Sequence, residues 1–315
     1  MPDRPLVVVT ELLADEANAW LAERCEVLKA NPCDPRFAEV AERVRGLIVR
    51  TYTTVDEALL RCLPNVQVVG RGGVGLDNID VEACRARGVT VVSTPDANTQ
   101  AVVEFVLCCL CDALRPRATM DRAVSKEEWQ RLRDEDLVAL WQMSELTLGI
   151  LGLGRIGRRV AEIARLIGFD VLFHDLRGIP DDERNGAEPV DLETLFRSSD
   201  VISVHVDGRA ANRHLVNGHL LGLLKSDAIL INTSRGFVID HQALAAWLHA
   251  NPAALALLDV HDPEPIPADN PLLGLDNACL TPHLASRTLT AMDNMSWVVK
   301  DVVAVLEGRT PQHPA

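Results

Sequence analysis

Ten short runs of apolar, largely β-branched residues punctuate this chain of 315 residues, and helix-length segments separate most of them. The first series is LVVV (6–9), GLIV (46–49), VQVVG (66–70) and VTVVS (89–93). The second is TLGILG (147–152), DVLFHD (170–175), DVISVHV (200–206), AILINT (228–233), LALLDV (255–260) and ACLTP (278–282). Runs that stay apolar, rather than alternating with polar residues, belong to strands covered on both faces, as in a parallel sheet flanked by helices. The pattern predicts an α/β protein of doubly wound parallel sheets, and two series predict two sheets. The length suits two domains, each with its own core.

Between the series, residues 94–145 hold one long apolar helix pattern (about 99–115) and then a charged stretch, SKEEWQRLRDEDLVALWQMSEL. That stretch reads either as a solvated helix or as an arm packing Trp129 and Trp141 against another subunit, since aromatic residues favour interfaces and cores alike. A last helix pattern, roughly 286–307, follows the final strand and is expected to return to the first domain. The expected division is a discontinuous domain of residues 1–98 plus 286–315 and a continuous one of 99–285.

A formal net charge of −14 argues against sequence-independent nucleic-acid binding and against docking to an anionic membrane. No apolar run approaches the ~18–20 residues of a membrane span. The opening MPDRPLVVVTELL does not have the pattern of an export signal, so a cytoplasmic location is expected. The eight cysteines are expected to be reduced, and those in AVVEFVLCCLCDAL to be buried as small hydrophobes. Cys108 and Cys111 form a CxxC there, but no second CxxC or CxxH completes a metal site.

The strongest local signal lies in TLGILGLGRIGRRVAEIARLIGFDVLFHD. Gly152, Gly154 and Gly157 form GxGxxG between a strand and an amphipathic helix. The first glycine permits the tight turn, the second lets backbone approach a pyrophosphate, and the third allows close helix–strand packing. The helix N-terminus offers free N–H groups and partial positive charge to the phosphates. This is the dinucleotide fingerprint of a Rossmann domain. Asp175 ends the next strand, where a carboxylate accepts from both ribose hydroxyls and repels a 2′-phosphate, favouring NAD over NADP. Arg177, two residues on, weakens that preference.

Later strand ends supply reactive groups. INTSRG ends a strand with Arg235, LDVHDPEP carries Asp259, Asp262 and Glu264 past another, and LTPHLA ends the last with His283. In an open α/β sheet the carboxyl ends of the strands converge, so Arg235, Glu264 and His283 can meet. A guanidinium binds a carboxylate in a fork and polarises an adjacent ketone. An imidazole gives and takes a proton, and a carboxylate against it favours its charged form and orients the ring.

Taken together, GRGGVGLDNID (70–80), LGILGLGRIG (148–157), INTSRGFVID (231–240), LDVHDPEP (258–265) and LTPHLAS (280–286) make the chain resemble the D-isomer-specific 2-hydroxyacid dehydrogenases. The likeness is to the phosphoglycerate dehydrogenase and glyoxylate/hydroxypyruvate reductase branch. It implies two Rossmann/flavodoxin-like domains with a cleft between them, a homodimer, and hydride exchange between NAD and a small D-2-hydroxy or 2-oxo acid. It further implies that Arg235 binds substrate, His283 is the acid/base and Glu264 its partner. Asp259 is implied to approach the nicotinamide carboxamide, and Arg155, Ile156, His205 and Thr233 to line the cofactor. Gly73 and Val74 would offer amides to the substrate carboxylate, and Arg50 occupies a position that contacts a substrate phosphate or carboxylate.

The departures are Asp207, Gly208 and Arg209 where the family shows Pro-x-Thr, His261 and Asp262 where it shows Phe and Glu, and Tyr52 beside Arg50. The expected function is therefore a D-2-hydroxyacid dehydrogenase of the phosphoglycerate or hydroxypyruvate/glyoxylate type. The alternative is an NAD(H)-binding scaffold or redox sensor with the same fold and little catalysis.

Overall fold

The computed structural model describes residues 4–115, 117, 119–136 and 141–315. The chain forms two compact units, Met1–Ala101 with Ser286–Ala315, and Val102–Ala285, each built on one parallel sheet.

The first unit has five strands: β1 (Leu6–Val9), β2 (Glu26–Lys29), β3 (Val44–Val49), β4 (Val68–Arg71) and β5 (Thr90–Val92). They lie in the order β2-β1-β3-β4-β5, every pair parallel. Val8, Leu47, Val49 and Val69 face one core, while Val7, Val9, Ile48 and Val68 face the other. The second of these cores is closed by Val298, Val299, Val302 and Val303, which is why the C-terminal segment belongs here. β2 escaped the sequence pattern because it is an edge strand whose end residues, Glu26 and Lys29, are charged and exposed.

The single helix expected over 286–307 is two helices, Leu289–Ser296 and Val299–Leu306. At the break the amides of Trp297 and Val298 reach back three residues instead of four, to Asn294 O (3.2 Å) and Met295 O (3.5 Å). Ser296 Oγ bonds the carbonyl of Met292 (2.8 Å) and accepts from the amide of Ala14 (2.9 Å), a side-chain competitor inside the helix ladder.

The second unit has seven strands: β6 (Thr147–Leu151), β7 (Asp170–His174), β8 (Glu188–Pro189), β9 (Val201–Val204), β10 (Ile229–Asn232), β11 (Leu255–Leu258) and β12 (Ala278–Leu280). Their order is β12-β11-β10-β9-β6-β7-β8, again all parallel. The order reverses between β6 and β9, the switch point at which open α/β sheets bind ligands. The helix Arg155–Leu166 covers one face through Val160, Ala161 and Ala164. The helix Thr99–Leu114 joins it there through Val103, Val106 and Leu110. Leu244, Trp247 and Leu248 of the helix His241–Ala250 cover the opposite face.

The expectation of buried cysteines in Thr99–Leu114 needs correction. Cys108 is exposed and Cys109 and Cys111 are half-buried, because the buried stripe runs through 103, 106 and 110; only Cys25 and Cys84 are fully buried, and all eight are free thiols. Of the Trp-bearing arm, Trp129 and Trp141 are exposed, and residues 137–140 lie outside the described residues. Among the described residues no helix is long and apolar enough to cross a membrane.

Candidate active site

Strand register sets the geometry of the site. Parallel pairing aligns Leu280, Leu258, Asn232, Val204, Leu151 and His174 in one row across six strands. The next residue of each strand is therefore at one level past the sheet: Thr281, Asp259, Thr233, His205, Gly152 and Asp175. Most of the residues singled out from the sequence lie on this row or within a few positions of it.

The fingerprint turn fits a dinucleotide. Gly152 has φ +96°, and a Cβ there would fall 2.9 Å from the His205 carbonyl. A Cβ on Gly157 would fall 2.2 Å from Gly152 O, whereas one on Gly154 would meet nothing within 4 Å. So the backbone is open on the side where a pyrophosphate would lie and closed on the other. Gly154 heads the helix Arg155–Leu166 without a side-chain cap, leaving its first amides for an anion. Thr233 Oγ1 is buried with no partner among the described residues, a polar group that a bound nicotinamide nucleotide would satisfy.

Asp175 accepts from Leu153 N (2.9 Å) and Arg177 N (2.9 Å), and Arg177 closes a fork on it at 3.1 Å per arm. Burial opposes its charge, but these bonds outweigh burial and hold the carboxyl below the ordinary range. The departure loop is likewise self-satisfied. Arg209 forks onto Asp207, and Asn212 Nδ2 donates to Asp207 O (2.9 Å) and Oδ1 (3.0 Å). His205 bonds Ser203 Oγ through Nε2 (2.8 Å), and burial pushes its imidazole down to about 4, so it is neutral at pH 7.

Arg235, Glu264 and His283 leave three adjacent strands, β10, β11 and β12. His283 Nδ1 meets Glu264 Oε2 at 2.9 Å, and Glu264 Oε1 accepts the amide of His261 (3.0 Å). Burial raises the Glu264 carboxyl, but the bonds from His283 and the His261 amide outweigh it and hold it below the usual range. Asn232, 1% exposed, shapes the turn that carries Arg235: its side chain accepts from Ser234 N (3.0 Å) and Oγ (2.7 Å) and donates to Arg235 O (2.9 Å). Asp262 is exposed and pairs with Arg213 (2.8 Å).

Asp259 is 1% exposed and its carboxylate is engaged from within the chain. Oδ1 accepts from Thr281 Oγ1 (2.6 Å) and Leu284 N (2.7 Å), and Oδ2 from Ala285 N (2.7 Å), so Asp259 holds the turn bearing His283. In the first unit, the amide of Gly73 donates to Arg71 O (2.9 Å).

Arg50 follows β3, and its Cγ would lie 3.3 Å from a Cβ on Gly72, so it packs on the 72–74 loop. It is 8% exposed, with Nη1 on Leu12 O (3.2 Å) and Nη2 on Met295 Sδ (3.9 Å). Burial and the nearby Arg287 work against its charge. Sequence reading missed the residue that sets this loop. Glu11 accepts four successive amides, from Arg50 (3.0 Å), Thr51 (2.9 Å), Tyr52 (3.1 Å) and Thr53 (3.1 Å).

A parallel sheet with a glycine-lined nucleotide turn at its switch point and a carboxylate–imidazole pair at neighbouring strand ends defines a dinucleotide-dependent dehydrogenase. Residues 107–285 match the family model described as D-isomer specific 2-hydroxyacid dehydrogenase, NAD binding domain. The chain belongs to that family, and this unit is its NAD-binding domain.

Over 94% of the chain it is 36% identical to the (S)-sulfolactate dehydrogenase of Chromohalobacter salexigens, covering 96% of that protein. It is 33% identical to the D-3-phosphoglycerate dehydrogenase of Archaeoglobus fulgidus over 96% of the chain, but spans only 57% of that enzyme. The crystal structure of a glyoxylate reductase from Paecilomyes thermophila superposes with a TM-score of 0.84 at 25% identity, over 100% of this chain and 99% of that one.

Proposed function

We propose that the protein is an NAD-dependent oxidoreductase interconverting a small 2-oxo acid and its D-2-hydroxy acid. The observation that carries this reading is the 2.9 Å contact between His283 Nδ1 and Glu264, which leaves Nε2 of His283 for a substrate oxygen. When bound, the nicotinamide supplies or accepts the hydride. The residues do the rest. The Arg235 guanidinium holds the substrate carboxylate in a fork and polarises its carbonyl. As C2 becomes tetrahedral, the Nε2–H of a charged His283 gives its proton to the new alkoxide oxygen. In the reverse direction neutral Nε2 takes that proton from the hydroxyl. Glu264, charged at neutral pH, offsets the imidazolium and keeps Nδ1 engaged.

Arg50 extends the reading to the substrate's far end. This deeply buried guanidinium has the Glu11 carboxylate nearby but only a carbonyl and a thioether as its hydrogen-bond partners, which leaves it suited to a further anion. It supports a substrate whose side chain is itself anionic, a sulfonate or phosphate, as the names of the sulfolactate and phosphoglycerate relatives describe. The exposed Trp129 and Trp141 support a dimer through their arm.

The test is NADH absorbance loss with 3-phosphohydroxypyruvate, sulfopyruvate, hydroxypyruvate, glyoxylate and pyruvate, run beside His283→Ala. Turnover is expected to be best on the first two acids and to fall in the variant by about 10²–10⁴-fold. Silence on every acid, with NADH still bound, would favour the scaffold reading. A preference for glyoxylate or pyruvate would remove Arg50 from the substrate site.

A further inference from the structure

One buried residue touches, through its backbone and its ring, every turn of the Arg235–Glu264–His283 set, and neither the fingerprint nor the proton transfer uses its side chain. His261 is 7% exposed. Its amide donates to Glu264 Oε1 (3.0 Å), and its Nε2 lies 2.9 Å from Thr281 O. A Cβ built on Gly236 would fall 2.0 Å from the carbonyl carbon of His261, so the turn after Arg235 rests directly on the His261 backbone.

The ring chemistry follows from these contacts. A carbonyl only accepts, so Nε2 carries a hydrogen, while Nδ1 is buried with no partner among the described residues. His241 shows the complement. Its Nδ1 faces the Asn270 amide nitrogen (3.3 Å) and accepts, so its buried, unpartnered Nε2 is the N–H. The other titratable groups around this pair are Glu264, Asp240, His214 and Asp262, the last paired with Arg213.

The amide of His283 is shared between Asp259 O (2.9 Å) and Thr281 O (3.0 Å), so Thr281 O takes a second bond. Two donors on one carbonyl pin the 281–283 turn, in which His283 sits at φ +55°. That left-handed conformation is unfavourable for a residue with a Cβ and persists only where its surroundings over-determine it.

We propose that His261 is a positioning residue for the reaction. As an Nε2–H donor to Thr281 O, with its amide on Glu264, it holds the His283 turn and the Glu264 loop in the one register that brings the two side chains together. This rests on His283 being the acid/base.

The experiment compares four substitutions. Phe keeps the bulk and the backbone amide but has no donor; Gln places an amide N–H near the reach of Nε2; Asn is too short; His283→Ala is the control. His261→Phe and His261→Asn should lower kcat by about threefold to tenfold, the effect of one hydrogen bond, with NADH affinity unchanged. In both, the alkaline limb of kcat/KM for reduction should move to lower pH, because a displaced Glu264 no longer supports the charged imidazole. His261→Gln should restore kcat and pH profile to within about twofold of wild type.

The Gln/Asn contrast decides the matter even where the Phe variant does not fold. Equal kcat and identical pH profiles for Gln and Asn, or a loss that tracks NADH affinity, would overturn the proposal. Turnover that survives His283→Ala would instead overturn the reading it rests on, so the two failures are distinguishable.

Discussion

The fingerprint turn and the His283–Glu264 pair stand at the same end of one sheet, yet they are built in opposite ways. Residues 152–157 make their site from one contiguous stretch of backbone, with Gly157 packed on Gly152 O, Gly154 open, and the His205 carbonyl backing Gly152. The pair draws its members from separate strands, and its geometry depends on Asp259 and His261, which hold the turns that bear His283 and Glu264. A local site should fail by steric collision at a single position, and an assembled one by loss of alignment.

The first way to break this comparison is Gly157→Val. Its Cβ would sit 2.2 Å from the backbone oxygen of Gly152, which cannot swing aside like a flexible side chain. Overpacking of this kind costs about 1–3 kcal/mol, and the helix N-terminus moves off its phosphate position. Titration of the variant with NADH by fluorescence should show affinity reduced by about a hundredfold or more, the loss of several amide contacts to a charged phosphate. Affinity within a few-fold of wild type would mean that the turn tolerates a displaced helix and is less local than it looks.

A smaller effect is expected at the other site. Glu264→Gln keeps the shape but removes the charge facing His283, so turnover should fall by about tenfold to a hundredfold while NADH affinity holds. A parallel drop in NADH affinity would join the two sites into one cooperative unit. Stopped-flow binding beside steady-state rates separates the alternatives.

The same contrast explains what could be read from the sequence. The ten apolar strands were legible because burial on both faces keeps most of their positions apolar. β2 and β8 were not, since edge position allows Glu26, Lys29 and Glu188 to stay exposed. Arg235, Glu264 and His283 were legible as chemical types at strand ends. Their supports were not, because hydrogen bonding by Glu11, Asn232 and His261 depends on which backbone groups the fold brings near, and nothing in their spacing records that. For the same reason the place of Asp259 in LDVHDPEP does not reveal that its three donors come from residues 281–285.

His205 sharpens the comparison, because it lies in the sheet-end row yet its carbonyl backs the Gly152 turn. Burial lowers its imidazole from 6.5 to about 4. The folded value thus lies below the unfolded one. Between those values the unfolded chain takes up a proton that the folded protein refuses. The stabilisation is complete above about pH 6.5, shrinks as pH falls toward 4, and changes no further below that. Its slope cannot exceed about 1.4 kcal/mol per pH unit for one proton. His241, also lowered by burial, adds a contribution of the same sign, whereas Asp175 and Glu264, held below their usual values, lose theirs at lower pH. His205→Gln keeps an amide group near Ser203 but cannot titrate. Urea midpoints at a series of pH values should therefore fall less steeply for this variant than for wild type between pH 6.5 and 4, with the same ranking when NADH is saturating. Parallel curves would show that His205 accepts its proton in the folded state, and that the back of the nucleotide turn is open to water.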